Sequence, residues 1–333
     1  MSGPLDLLDA AVEDRLERAA MPEWTEPMLA TLTHDHFSSP DWIYERKLDG
    51  ERCLVLRDGD GVRLYTRNRK PLDETYPELI APLARATDVP YVADGEIVAF
   101  DGAVTSFRRL QQRIGIHDAE RARASAVPVY LYLFDLVYLD DARLDQLPLR
   151  ARKSLLRRGL KLRDPVRYTP HRNADGEAYL DEACAKGWEG LIAKRADSTY
   201  AHSRSRDWLK FKCGHRQELV IGGYTEPEGS RTGFGALLVG YYQDDALRYA
   251  GKVGTGFDEQ TLQTLHERMR GLEREEPAFS GGGPLPSSDV HWTEPRLVAE
   301  VGFTEWTGAG RLRHPRYLGL RTDKKPTDVV RED

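Results

Sequence analysis

Cysteine is scarce in this chain. Three occur in 333 residues, Cys53, Cys184 and Cys213, far apart and with no CxxC spacing. That pattern offers neither a structural zinc set nor a disulfide framework, so the sequence predicts free thiols in a reducing compartment. The N-terminal "MSGPLDLLDAAVEDRLERAA" lacks a basic start followed by an apolar core, and no apolar run is long enough to span a bilayer. A soluble, cytoplasmic protein without membrane attachment is expected. Phosphate-binding loops are missing as well: there is no P-loop pattern, and the glycines at 229, 233 and 235 form no dinucleotide fingerprint. Any nucleotide must then be held by side chains on strands. No internal repeat or sustained low-complexity segment interrupts the chain.

At this length two domains are the natural expectation, and 40% hydrophobic residues supply ordinary cores. A net charge of −6 does not by itself indicate a nucleic-acid binder, but the charge is unevenly spread. "RARKSLLRRGLKLR" at 150–163 carries seven basic residues and no acid, and in "RLRHPRYLGLRTDKK" at 311–325 Asp323 is the only acid. The first 27 residues lean acidic. Basic patches can neutralise phosphates locally. A solvated helix face accounts for the first patch equally well.

From Trp42 to Lys212, short strands alternate with turn signals. "RCLVLRDGDGVRLYTRN" reads as a hairpin, "YVADGEIVAFDG" as a strand pair or kinked strand, and "VPVYLYLFDLVYLD" as a long, mostly buried strand. "GLIAKRA" and "DWLKFKC" supply two more. "DGEAYLDEACAKG" reads as a helix capped at Asp175 and stopped at Gly187, and "LRARKSLLRRGL" as a second, with leucines at helical spacing. This mixture is α+β. Beyond "CGHRQE" the texture changes to short strands between Gly-rich turns, with one helix in "DEQTLQTLHERMRGL". A small barrel such as an OB-fold suits it, with "SGGGPLPSS" a loop inside that barrel rather than a linker.

Charged and aromatic residues recur at the strand ends. They are Lys47, Asp49 and Arg52 in "KLDGER", Arg67 in "TRNRK", Glu96 in "DGEIV", Phe134 in "LFDLV", Glu189 and Lys194 in "EGLIAK", and Lys210 and Lys212 in "WLKFK". Singly, each has an ordinary explanation. Asp-Gly is a turn signal, Phe134 suits a core, the two strand lysines suit a wet face, and Glu189 with Lys194 suits a surface ion pair.

In this order and spacing, the set resembles the covalent nucleotidyltransferase superfamily: ATP-dependent DNA ligases, RNA ligases and mRNA capping enzymes. The resemblance runs from "EPMLATL" at 26–32 to the end of the chain and is nearest to the compact bacterial ATP-dependent DNA ligases of repair and end joining. It implies a short extension at 1–25, an adenylation domain of antiparallel sheets with flanking helices at 26–214, and an OB-fold at 215–333. The implied reaction is sealing of 3′-hydroxyl/5′-phosphate breaks through lysyl-AMP and DNA-adenylate.

The resemblance also implies roles. Lys47 is the nucleophile, with Asp49 beside it and Lys210 and Lys212 on the α-phosphate. Glu45 receives the adenine amino group, and Phe134 stacks on the base. Arg52, Arg67, Lys194 and Arg204 complete the nucleotide shell. Ser203 stands where glycine is implied ahead of Arg204, so Arg206 is an alternative contact. Glu96 binds ribose or metal, and Glu189 binds metal, Mg²⁺ or Mn²⁺. Arg321, Asp323 and Lys324 orient the departing pyrophosphate of ATP. An unperturbed lysine has a pKa of about 10.4, so roughly a thousandth is neutral near pH 7.4 and the nucleophile needs help from desolvation or neighbouring cations.

Only about 25 residues precede "EPMLATL", too few for a DNA-encircling domain. A monomer is expected, acting on nicked or broken duplex DNA with a Ku-like end-binding protein or a repair polymerase or primase. The remaining readings are an RNA ligase or capping-type enzyme, and a non-catalytic OB-fold nucleic-acid binder.

Overall fold

The computed structural model describes residues 4–227 and 232–332, so Gly229 lies outside the described residues. The chain divides into two compact units, Met1–Cys213 and Gly214–Asp333, one residue ahead of the boundary read at 214. The N-terminal stretch packs into the first unit. Leu5 is buried in its core, and Glu17–Arg18 pairs with Ala142–Arg143 at a sheet edge.

Two sheets build the first unit. One runs in the order Glu17–Arg18, Ala142–Arg143, Tyr130–Leu139, Tyr91–Val98, Glu51–Asp58 and Gly61–Tyr65, with Val166–Tyr168 added parallel to Tyr130–Leu139. The other runs His171–Asn173, Trp42–Arg46, Gly190–Arg195, Arg204–Lys212 and Leu29–Leu32, the last pair parallel. The expected hairpin closes between Asp58 and Gly61, and "YVADGEIVAFDG" forms one long strand ahead of a small Phe100–Asp101/Val104–Thr105 ladder.

Side chains alternate across each pleat, so every strand serves two surfaces. Val55, Ala93, Ile97, Leu131 and Leu133 face the larger core beneath the first sheet. On the opposite face Leu54, Leu56, Val92 and Tyr138 meet Trp208 and Tyr200 from the side of the second sheet. The space between the two sheets is therefore closed by an apolar cluster, and the polar strand ends lie along the same faces. Two bulges in the pairing of Tyr91–Val98 with Tyr130–Leu139 matter here. Asp94 lies opposite Asp135 while Gly95 lies opposite Leu133, so Phe134 is the inserted residue.

Three expectations need correction. Cys184 and Cys213 are joined as a disulfide, leaving only Cys53 as a free, buried thiol. Spacing along the chain hid this, because helix Gly176–Ala185 packs Tyr179, Leu180 and Ala183 on Leu191, Leu209 and Phe211 and so brings its end to the end of Arg204–Lys212. The inference of a reducing compartment loses its support. Next, the basic run at 150–163 is not simply a solvated face: in helix Leu149–Gly159, Arg152 and Lys153 are buried. Finally, Asp175 occupies the N-cap of its helix without a side-chain capping bond.

The second unit is an antiparallel sheet in the order Ala246–Val253, Leu237–Gln243, His215–Thr225, Val290–Phe303 and Glu273–Arg274, with Arg316–Arg321 also on Val290–Phe303. Helix Glu259–Arg270 starts at Asp258, whose carboxylate accepts from Thr261 N–H at 2.8 Å, and buries Leu262, Leu265 and Met269. It is the OB-fold expected from the sequence. Among the described residues, no helix is long and apolar enough to cross a membrane.

Candidate active site

Strand Trp42–Arg46 ends just before Lys47, whose N–H donates to Gly190 O at 2.9 Å and so prolongs the pairing with Gly190–Arg195. Register then decides who shares its face. Glu45 lies opposite Ile192, Ile192 opposite Lys210, and Gly190 opposite Lys212. Glu45, Lys47, Ile192, Lys194, Trp208, Lys210 and Lys212 consequently occupy one face. The alternation expected for Lys210 and Lys212 holds.

Two glycines make this packing feasible. Gly190 has φ of +144°, and a Cβ there would lie 1.9 Å from Phe211 O. Gly50 of "KLDGER" is more than a turn residue, since a Cβ would fall 2.1 Å from Ile97 O. A side chain at Gly190 would push apart strands Gly190–Arg195 and Arg204–Lys212, and one at Gly50 would force the turn after Lys47 away from strand Tyr91–Val98.

The Lys47 ammonium pairs with Glu189, Nζ to Oε1 2.6 Å, and the Glu189 carboxylate is 4% exposed. Lys194 pairs instead with Glu45 Oε2 at 2.7 Å. Glu189 and Lys194 are thus not a surface pair with each other; both are buried and each has another partner. Glu45 Oε1 accepts from Lys153 Nζ at 2.5 Å, so both oxygens of this buried carboxylate meet an ammonium group. Burial pulls the Lys194 ammonium down to about 8, with Glu45 opposing it. Burial pulls Lys153 down too, but there the Glu45 carboxylate prevails and the net shift is upward.

Phe134 stands across from this face. Its ring centroid lies 4.2 Å from Lys194 Nζ and 4.7 Å from Arg52 Cζ, with Trp208 edge-on at 5.9 Å. Arg52 is clamped by Asp94 through two 2.5 Å hydrogen bonds and donates to Met28 O at 2.9 Å. Tyr200 hydroxyl donates to the same Asp94 carboxylate at 2.5 Å and accepts from Met28 N–H at 2.9 Å. Glu96 lies directly across from Arg52 on the neighbouring strand, and Arg67 sits in the turn after Gly61–Tyr65.

Other predicted residues are placed differently. Asp49 is directed to a neighbouring segment: its carboxylate accepts from Phe107 N–H at 3.3 Å and its N–H donates to Thr105 Oγ1 at 3.2 Å. Arg204 is exposed and donates to Ala30 O at 2.6 Å, and Arg206 is exposed beside it. In the second unit "RTDKK" is no loose tail. Arg321 is bidentate to Asp323 at 2.9 Å and reaches Glu300 at 2.9 Å, while Lys324 pairs with Glu218 at 3.1 Å.

Sequence reasoning missed Lys153, Asp94, Trp208 and Tyr200. A signal existed for Lys153, which falls on the stripe Leu149, Lys153, Leu156, Leu160 that the helix turns inward. Asp94 and Trp208 share the strand parity of Glu96 and Lys210. Tyr200 had none, because it lies in a loop.

Among the described residues, no group of three or more His, Cys, Asp or Glu is gathered as a metal set. Glu189, beside Lys47, and Glu96, across from Arg52, are each the kind of oxygen donor that a Mg²⁺-type ion takes from protein, the rest coming from substrate phosphates and water.

Facing sheets with a strand-end lysine, followed in the chain by an OB-fold, define a covalent nucleotidyltransferase architecture. Family models match accordingly: the ATP dependent DNA ligase domain over residues 27–212 and the ATP dependent DNA ligase C terminal region over residues 230–324. The chain belongs to the ATP-dependent DNA ligase family. It is 38% identical over 322 residues to the multifunctional non-homologous end joining protein LigD of Pseudomonas aeruginosa, covering 95% of this chain and 37% of that protein. With a DNA ligase of Natronomonas pharaonis it shares 36% identity over 302 residues, 86% of this chain and 52% of that one. A solved mycobacterial DNA ligase D, complexed with ATP and MES, is 36% identical with a TM-score of 0.67, covering 92% of this chain and 98% of that chain. The chain thus spans little more than a third of the length of the LigD relative.

Proposed function

We propose that this chain seals 3′-hydroxyl/5′-phosphate breaks in duplex DNA, using ATP and a covalent AMP on Lys47. The observation that carries the reading is the shared face of Lys47, Lys210, Lys212 and Glu45 opposite Phe134. In the first step the Lys47 ammonium gives up a proton, with the Glu189 carboxylate at 2.6 Å placed to accept it, the neutral amine attacks the α-phosphorus, and pyrophosphate departs. Lys210 and Lys212 would stabilise the negative charge gathering on the nonbridging oxygens, where a preorganised donor is typically worth about 10² to 10³ in rate. Adenine would lie between Phe134 and Ile192 with its amino group toward Glu45. Arg52, held by Asp94, would face the ribose, with Arg67, Lys194 and Arg204 completing the shell.

Glu189 and Glu96 would hold a divalent cation, Mg²⁺ or Mn²⁺, which when bound supplies positive charge to the phosphates. AMP then passes to a DNA 5′-phosphate, and the 3′-hydroxyl displaces it. The identity to a protein named for non-homologous end joining supports a setting in DNA end joining.

Intact mass tests the first step. Wild type stripped of AMP with pyrophosphate should regain one acid-labile adenylate with ATP and Mg²⁺, and Lys47→Ala none. A GMP adduct would indicate capping-type chemistry, and no adduct with any nucleotide or metal would overturn the proposal. Nicked DNA and nicked RNA duplexes then separate the ligase types.

A further inference from the structure

Lys153 belongs to none of the groups assigned above, yet it is the most completely engaged cation near Glu45. Its side chain is 2% exposed. The ammonium has three N–H donors, and three acceptors surround it: Glu45 Oε1 at 2.5 Å, Thr169 O at 3.1 Å and Phe134 O at 3.4 Å. Tyr168 lays its ring 4.6 Å from the same nitrogen. The preceding residue, Arg152, is anchored just as firmly. It forms a bidentate pair with Asp135 at 2.8 and 2.9 Å and donates to Leu147 O and Ser198 O. Adjacent residues of one helix thereby grip adjacent residues of the long strand, and of the two Lys153 reaches on to the strand that carries Glu45.

We infer that Lys153 is a positioning residue for base selection. It fixes the Glu45 carboxylate relative to Phe134 and so favours a purine with a 6-amino group over one with a 6-oxo group. This rests on the reading that Glu45 meets the base edge. An ionised carboxylate only accepts hydrogen bonds, so it welcomes an amino group and opposes a carbonyl oxygen. That distinction needs the carboxylate to be paired and to stay still. Glu45 meets an ammonium group at each oxygen, and Lys153, tied to two backbone carbonyls, holds it in place. Lys194 cannot substitute, because the contacts it offers besides Glu45 are the rings of Phe134 and Trp208.

The test compares adenylation of Lys47 by ATP and by inosine triphosphate, which carries a 6-oxo group. It uses the full chain, single-turnover rates over a range of nucleotide concentrations, and intact mass as readout. In Lys153→Met the preference for ATP should fall by on the order of 10-fold or more, mainly through a weaker apparent affinity for ATP. A role in packing alone would slow both nucleotides by one factor and leave their ratio unchanged, which overturns the inference. Glu45→Ala separates the two levels of reading. If it leaves the ratio unchanged, the base-edge assignment of Glu45 fails, and this inference with it. If it collapses the ratio and Lys153→Met does not, Lys153 alone is misassigned. Should Lys153→Met not fold, Lys153→Arg is read in its place. It keeps the charge, but a planar guanidinium cannot reproduce the three contacts, so an unchanged ratio again overturns the inference.

Discussion

Lys47 and Glu189 are held against each other at the end of adjacent strands, ammonium to carboxylate at 2.6 Å, with the lysine 18% exposed and the glutamate 4%. The pair keeps the Lys47 side chain pointed into the site, and on the proposed mechanism Glu189 is placed to take the proton that the ammonium must lose before it attacks. Glu189→Gln should fold as wild type and slow formation of the Lys47 adduct by about 10² or more, measured by rapid-quench intact mass. Wild-type rates in Glu189→Gln would remove Glu189 from the first step.

Arg152 and Asp135 are both fully buried and bidentate. Removing one partner strands the other charge without water. Asp135→Ala should therefore lose about 3–5 kcal/mol of stability, read from denaturant midpoints of the Met1–Cys213 unit. Arg158→Ala, on the exposed side of the same helix, should change stability by no more than about 0.5 kcal/mol. Equal costs at the two positions would contradict the burial of Arg152.

Much of the fold and site was legible in the sequence, and the reason is parity. A strand has a period of two, so "YERK" and "WLKFK" by themselves put Glu45 on the side of Lys47 and Lys210 on the side of Lys212. The division near residue 214 is visible as a change of texture. What escaped was pairing at a distance. Nothing near Cys184 points to Cys213, and nothing near Glu45 announces that Lys153 will arrive from a helix more than a hundred residues on. The basic composition of 150–163 also misled, since it suggested a wet surface. Two of its cations instead neutralise buried carboxylates, and only their helical phase gave that away.

His171 lies across from Glu45 on the neighbouring strand. Burial, and then the Lys153 cation, lower its pKa from 6.5 to about 4. Glu45 opposes that shift, Arg150 and Lys194 add to it, and Tyr168 hydroxyl lies 3.3 Å from Nδ1. The unfolded chain thus binds this proton first as pH falls. The neutral ring's contribution to stability is complete above about pH 6.5 and is lost as pH drops toward 4. His171→Asn should show a shallower loss of stability between pH 6.5 and 4 than wild type, compared by chemical denaturation. Parallel curves would mean that His171 titrates normally in the folded chain.

The Cys184–Cys213 bond closes a loop across 29 residues of sequence. That loop contains Glu189, Lys194, Lys210 and Lys212, and Cys213 N–H donates to Glu189 O at 3.0 Å. On the chain-entropy account a cross-link of this span stabilises by about 3–4 kcal/mol. A non-reducing digest should show the two peptides linked, and dithiothreitol should separate them while lowering the melting temperature of the first unit. Cys184→Ser should lower it similarly and make it insensitive to the reductant. Lys47 should still take up AMP in the reduced protein, since its ion pair with Glu189 involves neither sulfur. If the reductant leaves wild-type melting unchanged and the digest shows free thiols, the pair is reduced in the isolated protein and packing alone holds this edge of the site.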